Sequence, residues 1–122
     1  MLSGDFFHIT ELEKNDSGVN AVLHINPSHQ IFEGHFPGQP VVPGVCMMQM
    51  IKEVFENAIA RKTDIIKASE MKFLVIIDPT ENDTVNASVN YIINADEPVN
   101  VSASISHGET IHFKFKGQFV LR

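Results

Sequence analysis

VCMMQMIKEVFENAIARK, residues 45–62, is the stretch whose reading decides the fold. It is rich in helix formers, holds neither Gly nor Pro, and follows directly on Pro43-Gly44, which predicts one helix over Val45 to Arg61. Its first turns are apolar nearly all round, with Met47, Met48, Met50 and Ile51 as candidate core, so the helix is expected to be largely enclosed by the rest of the protein. Gln49, Lys52, Glu53 and Glu56 share one face by the i, i+3, i+4, i+7 rule, a pattern that most often marks a solvated stripe.

Downstream of this helix the chain reads as strands: Ala68 to Ile77, a break at Asp78-Pro79, then Thr84 to Asn94, Val99 to Ser106 and Thr110 to Leu121. The alternation of Val85, Ala87, Val89 and Tyr91, and of Val99, Val101, Ala103 and Ile105, fits antiparallel strands with one buried face. His107-Gly108-Glu109 is the turn between the last two. Upstream, Phe6, Phe7 and Ile9 precede a turn signal at Asn15-Asp16-Ser17-Gly18, and Val19 to Ile25 alternates as a second strand. Between Asn26 and Gly44 lie Pro27, Pro37, Pro40 and Pro43 with Gly34, Gly38 and Gly44, a density that suits a long stiff loop and neither regular element. One enclosed helix among antiparallel strands predicts an α+β domain in which a curved sheet covers one long helix.

The bulk numbers agree with a single domain over residues 1–122: 43% apolar and 20% charged residues, with no repeats or linker-like stretches. A net charge of −6 with scattered Lys and Arg argues against nucleic acid as a partner. The single cysteine, Cys46, allows no intramolecular disulfide and suits a reducing, cytoplasmic setting. The start MLSGDFF has no basic and apolar leader pattern, and the apolar run Phe73 to Ile77 is far short of the roughly 20 residues that span a bilayer, so no membrane span is expected.

The chemistry-bearing string is GHFPGQPVVPGV, Gly34 to Val45, where prolines three residues apart fix the backbone and hold His35 in place. An imidazole with an unperturbed pKa of about 6.5 is a suitable proton acceptor near neutral pH. Pro43 and Gly44 open the helix, whose unpaired N–H groups and positive dipole end suit a polarised carbonyl oxygen. A base aimed at the carbon beside such a carbonyl fits proton abstraction alpha to a thioester.

Gly34-His35-Phe36-Pro37-Gly38-Gln39-Pro40-Val41-Val42-Pro43-Gly44-Val45 resembles, almost throughout, the active-site motif of the beta-hydroxyacyl-[acyl carrier protein] dehydratases of fatty-acid synthesis. A weaker resemblance runs from about Phe6 to Leu121, with Lys72-Phe73 and Asp78-Pro79 at the family's post-helix strand and turn. The resemblance implies the hotdog fold, a sheet wrapped around one long central helix. It implies a substrate carried on acyl carrier protein or coenzyme A, no cofactor, and a homodimer or higher homo-oligomer. It assigns to His35 removal of the C2 proton of a 3-hydroxyacyl thioester, and to the Gly44 region, flanked by Pro43 and Val45, the thioester carbonyl. Phe36 and Gly38 belong to the same substrate-binding loop.

The family's second catalytic residue is a Glu or Asp from the neighbouring subunit, four positions after the loop's last valine, which assists departure of the hydroxyl; here that position is Gln49. An amide hydrogen-bonds a hydroxyl but cannot give up a proton as a carboxylic acid does, and loss of a general acid typically costs a factor of about 10² to 10⁴. Glu53, one turn further along the same face, is the candidate substitute. Three functions are therefore weighed: a dehydratase yielding a trans-2-enoyl thioester, an acyl thioesterase in which Gln49 orients a water, and a non-catalytic acyl-thioester-binding subunit. His8, His24, His29, His107 and His112 are read as structural or solvated, and no metal is expected because His24, His29 and His35 lack a ligand spacing. Cys46, in an apolar helix start, is read as a small buried hydrophobe.

Overall fold

The computed structural model describes residues 2–34 and 40–122. The elements are β1 (Phe7–Lys14), β2 (Gly18–Ile25), α1 (Ile31–Gly34), α2 (Gly44–Ile59), β3 (Thr63–Phe73), β4 (Thr84–Ile92), β5 (Val99–His107) and β6 (Thr110–Leu121). The strands form one antiparallel sheet in the order β1-β2-β4-β5-β6-β3, and it wraps around α2 in the hotdog arrangement.

Local chemistry sets the boundaries. The Asn15 side chain accepts the Ser17 and Gly18 N–H groups and turns β1 into β2. Every second residue of β4 and β5 faces inward, so Ala87, Val89 and Tyr91 oppose Ile105, Ala103 and Val101 across the sheet, with Val85 continuing the inner face. That inner face packs on Met50, Ile51, Val54 and Phe55 of α2, and the Phe55 ring meets Tyr91 and Phe119 edge-on at 4.9 and 5.2 Å. Gly117 of β6 has to be glycine, because a side chain there would run into the Lys67 carbonyl beside the bulges of β3.

Three sequence expectations change. The helix spans Gly44–Ile59 and stops before Arg61 because Ala60 is left-handed, φ 56°, with its N–H returned to the Glu56 carbonyl. The third strand starts at Thr63 and ends at Phe73, earlier at both ends than Ala68 to Ile77: the Glu56 carboxylate takes the Thr63 N–H at 2.7 Å and turns the chain straight out of the helix. The stretch from Asn26 to Gly44 is not all loop. The His29 ring accepts the Ile31 N–H at 3.1 Å and starts the short turn α1, pinned by buried Phe32 against Phe6.

Candidate active site

Pro43 is extended, φ −62° and ψ 146°, so its ring precedes α2 without entering it, and no side chain caps the helix. The Pro43 carbonyl receives the Cys46 and Met47 N–H groups. The Gly44 and Val45 N–H groups have no acceptor among the described residues, which leaves the positive end of the helix with two donors to offer. Beside them lies a cavity of about 380 Å³ walled by Val42, Pro43, Gly44 and Met47 on one side and by Phe73 to Ile76 on the other. A side chain on Gly44 would meet the Phe73 ring at 2.8 Å, so glycine is what allows the strand-end aromatic to close over the helix start.

The second wall is where the run FLVII goes. Past the end of β3 the Leu74 N–H bonds the His112 carbonyl, the His112 ring bonds the Val75 carbonyl at 3.0 Å, and the Val42 N–H bonds Ile77. Asp78 then turns the chain, and hydrogen bonds from the Thr80 hydroxyl and Thr80 N–H hold its carboxyl below the usual carboxylate range. Phe73, Leu74, Val75 and Ile76 remain about half exposed, and Val45 is 76% exposed, so the helix start sits in a contiguous apolar band at the sheet edge. The sequence reads this run as the end of a strand and as too short for a membrane; its place beside Pro43-Gly44 comes from tertiary pairing.

His35, Phe36 and Gly38 lie outside the described residues. The other named residues are visible. Gln49 is half-buried and donates through Nε2 to Glu53 Oε2 at 3.0 Å. Glu53 is 1% exposed, and its two oxygens also accept the Leu2 and Ser3 N–H groups, each at 2.9 Å. The reading of Gln49, Lys52, Glu53 and Glu56 as a solvated stripe is therefore corrected: the N-terminal segment covers Glu53, and Glu56 is buried between Thr63 and Lys52. The structure brings Gln49 and Glu53 together as a pair, and it shows in Leu2 and Ser3 two contributors that no sequence signal marked.

Cys46 is buried, and burial pushes its thiol up, away from the thiolate a nucleophile needs. His24 bonds Asp83 and His29 bonds Asp5, each at 3.1 Å. Among the described residues no helix is long and apolar enough to cross a membrane.

The site is thus an uncapped helix start facing an apolar cavity, inside a sheet wrapped round that helix. The model of the ApeI-like family, described as ApeI dehydratase, matches residues 11–116, and the chain belongs to that family. The 3-hydroxyacyl-[acyl-carrier-protein] dehydratase FabZ of Haemophilus influenzae is 31% identical over 65 residues, which span 53% of this chain and 43% of that protein. The FabZ of Rickettsia bellii is 23% identical over 107 residues, 88% of this chain and 68% of its own. Among solved structures, the dehydratase heterocomplex ApeI:P from Xenorhabdus doucetiae aligns with a TM-score of 0.72 at 18% identity, over 93% of this chain and 96% of that one, a likeness of fold.

Proposed function

We propose that this chain acts on 3-hydroxyacyl thioesters carried by acyl carrier protein or coenzyme A, interconverting them with trans-2-enoyl thioesters as a hydro-lyase. The observation that carries the reading is the pair of unpaired N–H groups at Gly44 and Val45, with Gly44 itself lining the apolar cavity, in a chain of a dehydratase family. The thioester oxygen takes those donors, the acyl chain lies along Met47 and the Phe73 wall, and His35 removes the C2 proton as negative charge moves onto the oxygen. Phe36 and Gly38 contribute to binding the substrate.

The departing hydroxyl needs a proton to leave as water, and Gln49 has none to give. In this reading the proton that His35 has taken from C2 is passed to the leaving oxygen, so the products are the enoyl thioester, water and the neutral imidazole. Two copies of the chain complete the site, joined through the half-exposed band from Phe73 to Ile76. The test is hydration of 2-enoyl thioesters of varied chain length, followed by loss of enoyl absorbance. Turnover that disappears in His35→Ala is expected; no turnover on any chain length refutes the reading.

The amide at position 49 favours one second reading. A different hotdog chain with a carboxylic acid at the matching position supplies the missing proton; the similar structure from Xenorhabdus doucetiae is itself a dehydratase heterocomplex. Binding of acyl thioester without turnover, by a chain that is active only when mixed with such a partner, distinguishes it. Release of free thiol from acyl-coenzyme A would point instead to the thioesterase.

A further inference from the structure

Glu53 is a buried carboxylate with a full set of donors. The Ser3 N–H reaches Oε1, the Leu2 N–H and the Gln49 amide nitrogen reach Oε2, and the side chain is 1% exposed. Swinging it away would strand two backbone N–H groups and an amide that it now satisfies. The carboxylate is therefore a fixed acceptor, and it stands one helical turn from Gln49 on the same face.

A fixed acceptor selects one end of an amide. Turned the other way, Gln49 would set its carbonyl oxygen against a carboxylate oxygen with no proton between them. With Nε2 held by Glu53, the Gln49 Oε1 has no donor among the described residues. We propose that Glu53 is a positioning residue that locks the Gln49 amide with its nitrogen on Glu53 and its carbonyl oxygen presented to the substrate hydroxyl. This rests on the thioester reading above and deepens it: position 49 accepts a hydrogen bond from the 3-hydroxyl and selects substrates that carry one, while delivering no proton.

A consequence follows that a simple restoration of the acid would miss. Gln49→Glu alone places two carboxyl groups at hydrogen-bond distance, where they hold one proton between them and direct it at each other, not at the substrate. The reciprocal change, Gln49→Glu with Glu53→Gln, rebuilds a donor–acceptor pair of reversed polarity. The amide at position 53 then donates to the acid and its oxygen keeps the Ser3 N–H, while the Leu2 N–H loses its acceptor.

The experiment has a structural and a kinetic arm. In ¹⁵N-labelled full-length protein, the Gln49 side-chain amide, assigned by its loss in Gln49→Leu, is expected to exchange slowly with one proton shifted downfield, and to lose both features in Glu53→Gln. Rapid exchange with ordinary shifts in the unaltered protein overturns the proposal even should Glu53→Gln fail to fold. In dehydration of the 3-hydroxyacyl thioester, Glu53→Gln is expected to raise KM more than it lowers kcat. The reciprocal double variant should exceed Gln49→Glu in kcat/KM by at least about tenfold, a modest part of the roughly 10²- to 10⁴-fold worth of a general acid. Equal activity of those two variants overturns the proposal. Ser3→Pro removes one N-terminal donor and leaves the Gln49 bond; if it reproduces the whole Glu53→Gln effect, Glu53 acts only as an anchor and the proposal falls. Absence of any turnover in the unaltered protein sinks the thioester reading instead, and the amide resonances still decide the positioning.

Discussion

Replacing Glu56 by Ala should destabilise the protein by about 2–3 kcal/mol, a value that follows from what the carboxylate holds. It accepts the Thr63 N–H at 2.7 Å and the Thr63 hydroxyl at 3.2 Å, and Thr63 is fully buried. A hydrogen bond to a charged acceptor contributes about 1.5–3 kcal/mol, and the orphaned donor carries a comparable penalty of about 1–3 kcal/mol that is the same loss seen from the other side. Removing a buried charge gives some of that back. The Lys52 contact at 3.4 Å adds little, because Lys52 keeps access to water and pairs of this kind contribute about 0–1 kcal/mol. With an unfolding entropy of about 2.1 cal/mol/K per residue near 60 °C, the expected fall in Tm is roughly 8–12 °C. Glu56→Gln, which keeps one acceptor for the Thr63 N–H, should fall between the Ala variant and the unaltered protein, and Lys52→Met should lose under about 1 kcal/mol. Urea unfolding of the three variants measures this. If Glu56→Ala costs no more than Lys52→Met, the account of how β3 leaves the helix is wrong.

Gly44→Val pushes the Phe73 ring off its 4.9 Å stack with Phe113, so a loss of about 1–3 kcal/mol is expected in chemical denaturation, and unchanged stability would contradict the close approach. Cys46, buried and with its thiol pushed up by desolvation, should react with a thiol reagent far more slowly in the native protein than in denaturant; equal rates would refute its burial. Because that folded-state shift is upward, the stability it contributes is complete at neutral pH and fades as pH rises above the ordinary thiol range, which an alkaline unfolding series detects. Ile76→Glu, at a position 59% exposed within the apolar band, should halve the mass seen by light scattering, and an unchanged mass rules that band out as the contact. With one imidazole serving both half-steps, kcat/KM for hydration should not show the falling limb of a separate acid, and a bell-shaped pH profile would count against that role of His35.

Most of the sheet was legible because strands packed on one face alternate: the inward Val, Ala and Ile of β4 and β5 carry their own period. Strand β3 was legible only over residues 68–73, since it lies at the edge, where Ile66, Met71 and Phe73 are exposed alongside its polar residues, and its start is fixed by a carboxylate seven residues upstream. The helical turn α1 hides between prolines and is held by His29 and Phe6. At the site, the shared face of Gln49 and Glu53 could be read from their spacing of four. That the face is covered could not, because the covering donors come from Leu2 and Ser3, some fifty residues away. His35, Phe36 and Gly38 remain readings of sequence alone, carried by the proline-fixed string around them.

The two borders of the sheet differ in character. Strand β1 shows water a fringe of Glu11, Glu13 and Lys14 and a kink in its ladder near Ile9, features that discourage a further strand from adding there. The opposite border, β3 and the run after it, is oily and open. Growth by strand addition is thus confined to a single side, and a side that meets its own likeness about a twofold axis is used up after one partner. If copies of this chain pair through that greasy margin, the charged border at β1 leaves no second oily edge for a further copy to join.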